Sequence, residues 1–168
     1  MAAPYEGPLT TKYIGTPLEF HDVEPAWVVK WPRSLTHFHT YGMLTPFFKG
    51  LTEGKLLATK CTNPECPFQH TWLPPRADCP DCYSRMEWVE VPTVGEIYAF
   101  TMLDYAGIGI EMTTPYWQID VAIEGVDTIF KGYLAHGKAE IGMKVKAQFR
   151  TDNPSHTILD IYWVPADE

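Results

Sequence analysis

Four cysteines hold most of the chemistry in this sequence: Cys61, Cys66, Cys79 and Cys82, all within 22 residues. Their spacing is C-x4-C, twelve residues, then C-x2-C. Two short cysteine turns facing each other bring four soft ligands to one point, as a tetrahedral zinc ion requires. Prolines at 64, 67 and 80 stiffen both turns before any metal arrives. One structural zinc per chain is therefore expected, with a rubredoxin-type iron as the competing metal for the same ligands. A closed four-thiolate site keeps no position open for water or substrate, so it is structural, and none of the cysteines remains as a nucleophile. His70 lies near the first turn but is expected on the ribbon surface, because four cysteines already complete the site.

Other catalytic patterns are missing from the sequence. It contains no G-x-S-x-G elbow, no H-E-x-x-H and no phosphate-cradling glycine loop. His37 and His39 lie two apart and would diverge on a helix; Asp104, Glu111 and Asp120 follow no carboxylate-pair spacing. The chain is not expected to be an enzyme on its own.

The elements that must position the cysteines follow from patterning. The 168 residues suffice for one medium domain or two small ones, burying roughly 70% of the unfolded surface. Residues 1–33 hold prolines at 4, 8, 17, 25 and 32, which exclude a long helix and favour an extended arm. That arm carries Trp27 and Trp31, too apolar for a free tail, and packs either on its own domain or on a partner. Residues 34–56 are expected to be helical: a short helix capped by Ser34 and running to His39, then a second over 46–53. Thr45 and Pro46 open the second, and Gly54 stops it. Residues 57–91 form the zinc ribbon, with strands near 55–60, 70–73 and 86–91.

After Pro92 the pattern alternates. Strands are expected at 95–103, 116–123, 128–135, 143–150 and 157–164, with a hairpin at Gly125–Asp127. Five strands in the span 92–168 fit a small closed barrel of the OB type, with Val145, Ala147, Phe149, Ile158 and Ile161 inside. The fold class is thus mainly β with N-terminal helices: a rubredoxin-like zinc ribbon followed by a five-stranded OB-fold barrel. The stretch from Tyr105 through Ile108 and Ile110 to Met112 is an apolar loop suited to contact rather than catalysis.

Charge limits the partners. The chain carries a net charge of −8, and from residue 91 onward eleven acidic side chains face five basic ones. A nucleic-acid groove needs a basic track interleaved with exposed aromatics. Lys144, Lys146 and Arg150 are only three charges on one strand face, so no nucleic acid is expected, although a nucleic-acid-binding ribbon and OB module is the rival binding-class reading. No apolar run reaches the length of a membrane span, and no secretory signal opens the chain. A cytoplasmic protein is expected.

Several of these segments together carry a resemblance. They are Pro46-Phe-Phe-Lys-Gly-Leu-Thr-Glu-Gly-Lys-Leu56, a four-cysteine ribbon containing Leu73-Pro-Pro-Arg76, Trp88-Val-Glu-Val91, Gly95-Glu-Ile-Tyr-Ala-Phe-Thr101 and Ile141-Gly-Met-Lys-Val145. Over residues 43–164 the chain resembles the zinc-ribbon and OB-fold family known as domain of unknown function thirty-five, regarded as acyl-CoA-associated. The first knuckle departs from the family's usual C-x2-C, and the arm exceeds the usual family start. Both features look most similar to the small subunit of a thiolase of anaerobic aromatic breakdown. The resemblance implies a non-catalytic subunit of a thiolase-type complex, arranged as two plus two chains, with the partner supplying the catalytic residues. It also implies a CoA thioester bound by the complex. Trp27, Trp31, Phe47, Phe48, Tyr105, Ile108 and Ile110 are the expected contacts to partner or CoA. A free-standing acyl-CoA binding protein is the remaining alternative.

Overall fold

A computed structural model of the chain describes residues 19–23, 26–30, 38, 40–106 and 112–167. The chain divides into two units, residues 1–39 and 40–168. In the first, β1 (Glu19–Val23) pairs antiparallel with β2 (Ala26–Lys30), Glu19 opposite Lys30 and Val23 opposite Ala26. The short helix expected over 34–39 falls almost wholly outside the described residues; Phe38, which is described, is not helical.

The second unit opens with α1 (Thr45–Thr52). Pro46 occupies its first turn, where no intrahelical donor is needed. Thr45 does not cap it: Leu44 stands at the N-cap, and the Thr45 hydroxyl donates back to the Thr40 carbonyl at 3.0 Å. Gly54, at φ +73°, ends the helix in the left-handed region. Phe47 and Leu51 are buried on its inner side.

A three-stranded sheet follows, ordered β4-β3-β5, from β3 (Leu57–Lys60), β4 (Thr71–Trp72) and β5 (Glu87–Glu90). Then β6 (Val94–Leu103), β7 (Tyr116–Ile123), β8 (Ile129–Leu134), β9 (Lys144–Phe149) and β10 (Ile161–Pro165) close into a barrel ordered β10-β8-β7-β6-β9. All its contacts are antiparallel except β10 with β8. The mainly β architecture with a five-stranded barrel thus agrees with the expectation from patterning.

Period-two burial drives the closure. Ile119, Val121 and Ile123 on β7, Val145 and Ala147 on β9, and Ile161 and Trp163 on β10 all point inward and are buried. Trp163 lies so close to Gly132 that a Cβ there would sit 2.6 Å from its indole nitrogen. One continuous core joins these residues to Phe47 and Leu51 of α1 and to Leu56, Ala58 and Leu73 of the ribbon.

The fifth barrel strand is shorter than expected. Residues 158–160 form a 3-10 turn, and Ile158 is exposed rather than interior. The cause is Asp160, which is fully buried. Its carboxylate accepts from the amides of Ser155 and His156, each at 2.7 Å, and from the Ser155 hydroxyl at 2.8 Å. These bonds wind the chain and delay β10. Burial works to raise this carboxyl, but the hydrogen bonds from Ser155 and His156 outweigh it and hold it below the usual carboxylate value. Its stabilising contribution is therefore complete above about pH 4 and fades as pH falls through the still lower folded value. Asp160→Ala is expected to lower unfolding free energy by on the order of 3 kcal/mol at pH 7. In urea titrations the gap between wild type and variant should narrow below about pH 4; a constant gap would contradict this.

Candidate metal centre

The ribbon is built to bring two turns together. In the first, the Asn63 side chain accepts from the Glu65 amide at 3.0 Å, and the Cys66 amide donates to the Asn63 carbonyl, also at 3.0 Å. In the second, the Cys79 amide donates to the Ser84 carbonyl and the Tyr83 amide returns to the Cys79 carbonyl, both at 2.9 Å. The Asn63 side-chain amide then donates to the Ser84 hydroxyl at 2.9 Å, tying one turn to the other.

The four sulfur atoms lie within 4.8 Å of one another. Cys61 Sγ is 3.6 Å from Cys82 Sγ, and Cys66 Sγ is 3.9 Å from Cys79 Sγ. A disulfide would need about 2.05 Å, so none is formed. Zinc–sulfur bonds of about 2.3 Å set tetrahedral S–S edges of about 3.8 Å, which these separations match. The wider C-x4-C turn is no obstacle to that geometry. The same four ligands suit iron.

Burial and hydrogen bonding set the thiols apart. Burial pushes the Cys61 thiol up to about 12 and raises Cys79 as well. At Cys82, hydrogen bonds from the Ser84 hydroxyl and the Ser84 amide bring the thiol down to about 6. A bound divalent cation would deprotonate the buried sulfurs by offsetting the charge that burial disfavours. His70 is not part of the cluster. Its carbonyl accepts from the Cys61 amide at 3.1 Å, and its ring lies 3.3 Å from Asp127.

The ribbon is fastened to the barrel by the turn before β8. The Thr71 amide donates to the Asp127 carboxylate at 2.7 Å, and the Asp127 amide donates to the Thr71 carbonyl at 2.9 Å. Thr128 accepts from the Leu73 amide at 3.0 Å and donates to the Leu73 carbonyl at 2.7 Å. Period-two reading gives no sign of this clamp: it puts Asp127 in the hairpin and Thr128 at the start of a strand, whereas Thr128 precedes β8 and turns its hydroxyl to Leu73.

The expected contact residues that are described differ in exposure. Phe47 is only 3% exposed and packs edge-on to Phe130, so it offers a partner no surface. Phe48 is half-buried, with its ring 4.3 Å from that of Tyr41. Tyr105 is exposed at the start of its loop. Trp27 lies on β2, whereas Trp31, Ile108 and Ile110 fall outside the described residues.

An apolar group not singled out from sequence lies toward the end of β6. A β-bulge between Ile97 and Ala99 shifts the register of β6, so Phe100 pairs with Ile119 and Met102 with Trp117. Cross-strand partners share a face, which places Phe100, Met102 and Trp117 at one mouth of the barrel. Phe100 meets Trp117 edge-on at 5.3 Å. By contrast, the basic strand face is neutralised in part: Lys144 pairs with Glu96 at 2.8 Å.

Each cysteine is expected to be indispensable. Structural zinc contributes about 10–16 kcal/mol, comparable with a whole domain's stability of about 5–15 kcal/mol. Cys66→Ser and Cys79→Ser should therefore unfold the ribbon rather than weaken it. Metal analysis should fall from about one zinc per chain to near none, with loss of amide protection over residues 57–91. Folded, reduced wild type lacking both zinc and iron would contradict the assignment.

No family model matches the chain, and no curated protein matches it. Solved structures do. A solved Ltp2-ChsH2(DUF35) aldolase matches with TM-score 0.59 and 20% identity, over 80% of this chain and 99% of that one. A DUF35-family protein of unknown function from Sulfolobus solfataricus matches with TM-score 0.51 and 19% identity, over 71% of this chain and 82% of that one. At these identities the likeness is one of fold, and its structural neighbours are DUF35 proteins.

Proposed function

We propose that this chain is a non-catalytic, zinc-binding accessory subunit of a thiolase-type acyl-CoA complex, supporting CoA-dependent cleavage of a 3-oxoacyl-CoA. One observation carries the reading: all four thiols converge on a single point, so none is available as the nucleophile that thioester chemistry needs. The catalytic cysteine must then come from another chain. The fold likeness to the Ltp2-ChsH2(DUF35) aldolase, whose name joins a DUF35 chain to a second component, supports an assembly of this type. Among the described residues no helix is long and apolar enough to cross a membrane.

The narrower resemblance, carried by the long arm and the C-x4-C knuckle, is to the small subunit of benzoylsuccinyl-CoA thiolase, from anaerobic toluene breakdown. On this reading two copies of the chain join two thiolase-like subunits in the cytoplasm, and the acyl group is an aromatic succinyl-CoA. The barrel mouth formed by Phe100, Met102 and Trp117, with Tyr105 and the apolar loop carrying Ile108 and Ile110, is the face assigned to the partner. Phe48 and the aromatic arm with Trp27 and Trp31 extend that assignment. Contact between the loop and the partner would hold the thioester near the nucleophile and limit water.

The test begins with the purified chain, which should cleave no 3-oxoacyl-CoA. Adding a thiolase-like subunit encoded in the same cell should create the activity, and the partner alone should fall well short of the complex. Full activity of the partner alone would remove any role for this chain. Deleting residues 1–32, or replacing Ile108 and Ile110 by aspartate, should weaken association or activity at least tenfold with zinc content unchanged. If the arm deletion unfolds the chain, the arm belongs to its own core instead.

A further inference from the structure

The outer face of the barrel carries a cleft that neither the metal centre nor the barrel mouth uses. Its volume is about 400 Å³, within the range of small-ligand pockets. Tyr133 of β8 lines it, with Met112 and Thr113 from the loop before β7. Arg150, Ser155, Thr157 and Leu159 line it from the loop between β9 and β10. Tyr133 pairs across the sheet with Gln118, and Leu134 with Trp117. Successive residues of a strand alternate faces, so Tyr133 lies opposite buried Leu134 and away from Phe100, Met102 and Trp117. OB-type barrels take ligands on this outer face of the second and third strands, between these two loops.

The lining side chains differ in what they can still offer. Ser155 and Thr157 are committed to their own turn. The Ser155 hydroxyl donates to Asp160 at 2.8 Å and lies 2.7 Å from the Thr157 hydroxyl, which accepts from the Leu159 amide at 3.2 Å. Arg150 is anchored by its main chain, its amide donating to the Asp160 carbonyl at 2.8 Å. Its exposed guanidinium makes no ion pair among the described residues. The half-buried Tyr133 ring stacks with Tyr162 at 6.2 Å, and its hydroxyl has no hydrogen-bond partner among the described residues. Burial holds the Tyr133 phenol above its ordinary value, against the pull of the Arg150 charge, so it remains a donor at neutral pH. Asp160 also acts on Tyr133, but it is buried and its carboxylate is taken by Ser155 and His156. Asp152, in the same loop, is exposed and does not line the cleft.

We infer that this cleft binds a small organic carboxylate, a monoanion with an apolar body. The Arg150 guanidinium offers the two parallel donors that a carboxylate takes, and the Tyr133 phenol and Thr113 hydroxyl offer further ones. Met112 and Leu159 supply apolar walls for the body. A single cation, with the Asp160 charge within electrostatic reach, balances one negative charge better than the two of a phosphate. A nucleic-acid strand is disfavoured by the net charge of −8. The inference goes beyond the proposed function and stands without it.

The experiment uses the full-length, zinc-loaded chain, titrated with hexanoate, 3-phenylpropanoate, hexanamide and inorganic phosphate. Calorimetry gives the affinities, and the ring resonances of Tyr133, assigned through Tyr133→Phe, give the location. Both carboxylates are expected to bind saturably and to shift the Tyr133 signals, with hexanamide and phosphate at least tenfold weaker. Arg150→Gln should weaken carboxylate binding at least tenfold and Arg150→Lys less, with zinc content unchanged in both. No saturable binding at millimolar hexanoate would overturn the inference. So would hexanamide or phosphate binding as tightly as hexanoate, or undiminished binding by Arg150→Gln. Carboxylate binding that leaves the Tyr133 resonances unmoved would place the acid elsewhere and overturn it too.

Discussion

The convergence of four sulfurs is the constraint on which the ribbon depends. Among the described residues, the cluster around them contains, besides the cysteines, only Met86 and the half-buried Trp72 as apolar packing. That is far too little burial to offset the entropy of ordering two turns and three short strands. The ribbon's own ladder is also slight, since β4 pairs with β3 at only two positions. A metal bound at the sulfurs would take the place that a hydrophobic core holds elsewhere in the chain.

The ribbon does not stand alone, however. Leu56, Ala58 and Leu73 turn away from the sulfurs and join the barrel's core, with Phe47 and Leu51 completing it from the helix side. The clamp of Asp127 and Thr128 on Thr71 and Leu73 then continues the sheet's hydrogen bonding from one element into the next. The sulfur cluster and the barrel core therefore engage opposite sides of the ribbon. The Leu73-Pro-Pro-Arg76 segment leaves the ribbon at this junction, with Leu73 facing the core and Arg76 facing solvent.

Much of this was legible in the sequence for two reasons. Cysteine spacing speaks directly about metal geometry, and period-two alternation marked all five barrel strands. Boundaries held where alternation was clean, as on β7, and failed where a side chain rewired the main chain, as Asp160 does by winding 158–160. Phe47 illustrates a second limit. An aromatic pair on a short helix carries no label saying which ring faces inward; only the position of Phe130 decides that. The clamp was hidden for a third reason: Asp127 and Thr128 resemble ordinary turn residues, and their partners lie more than fifty positions away in the chain.

The bulge at Tyr98 has a consequence for how this barrel can change. One extra residue in β6 sets the two halves of the strand out of phase, so that Gly95 and Ile97 obey the packing of the interior while Phe100 and Met102 answer to the rim. The two halves are not independent, however: Phe100 lies opposite buried Ile119 and meets Trp117, which packs on the core, so a change of size at the rim is felt by the interior below it.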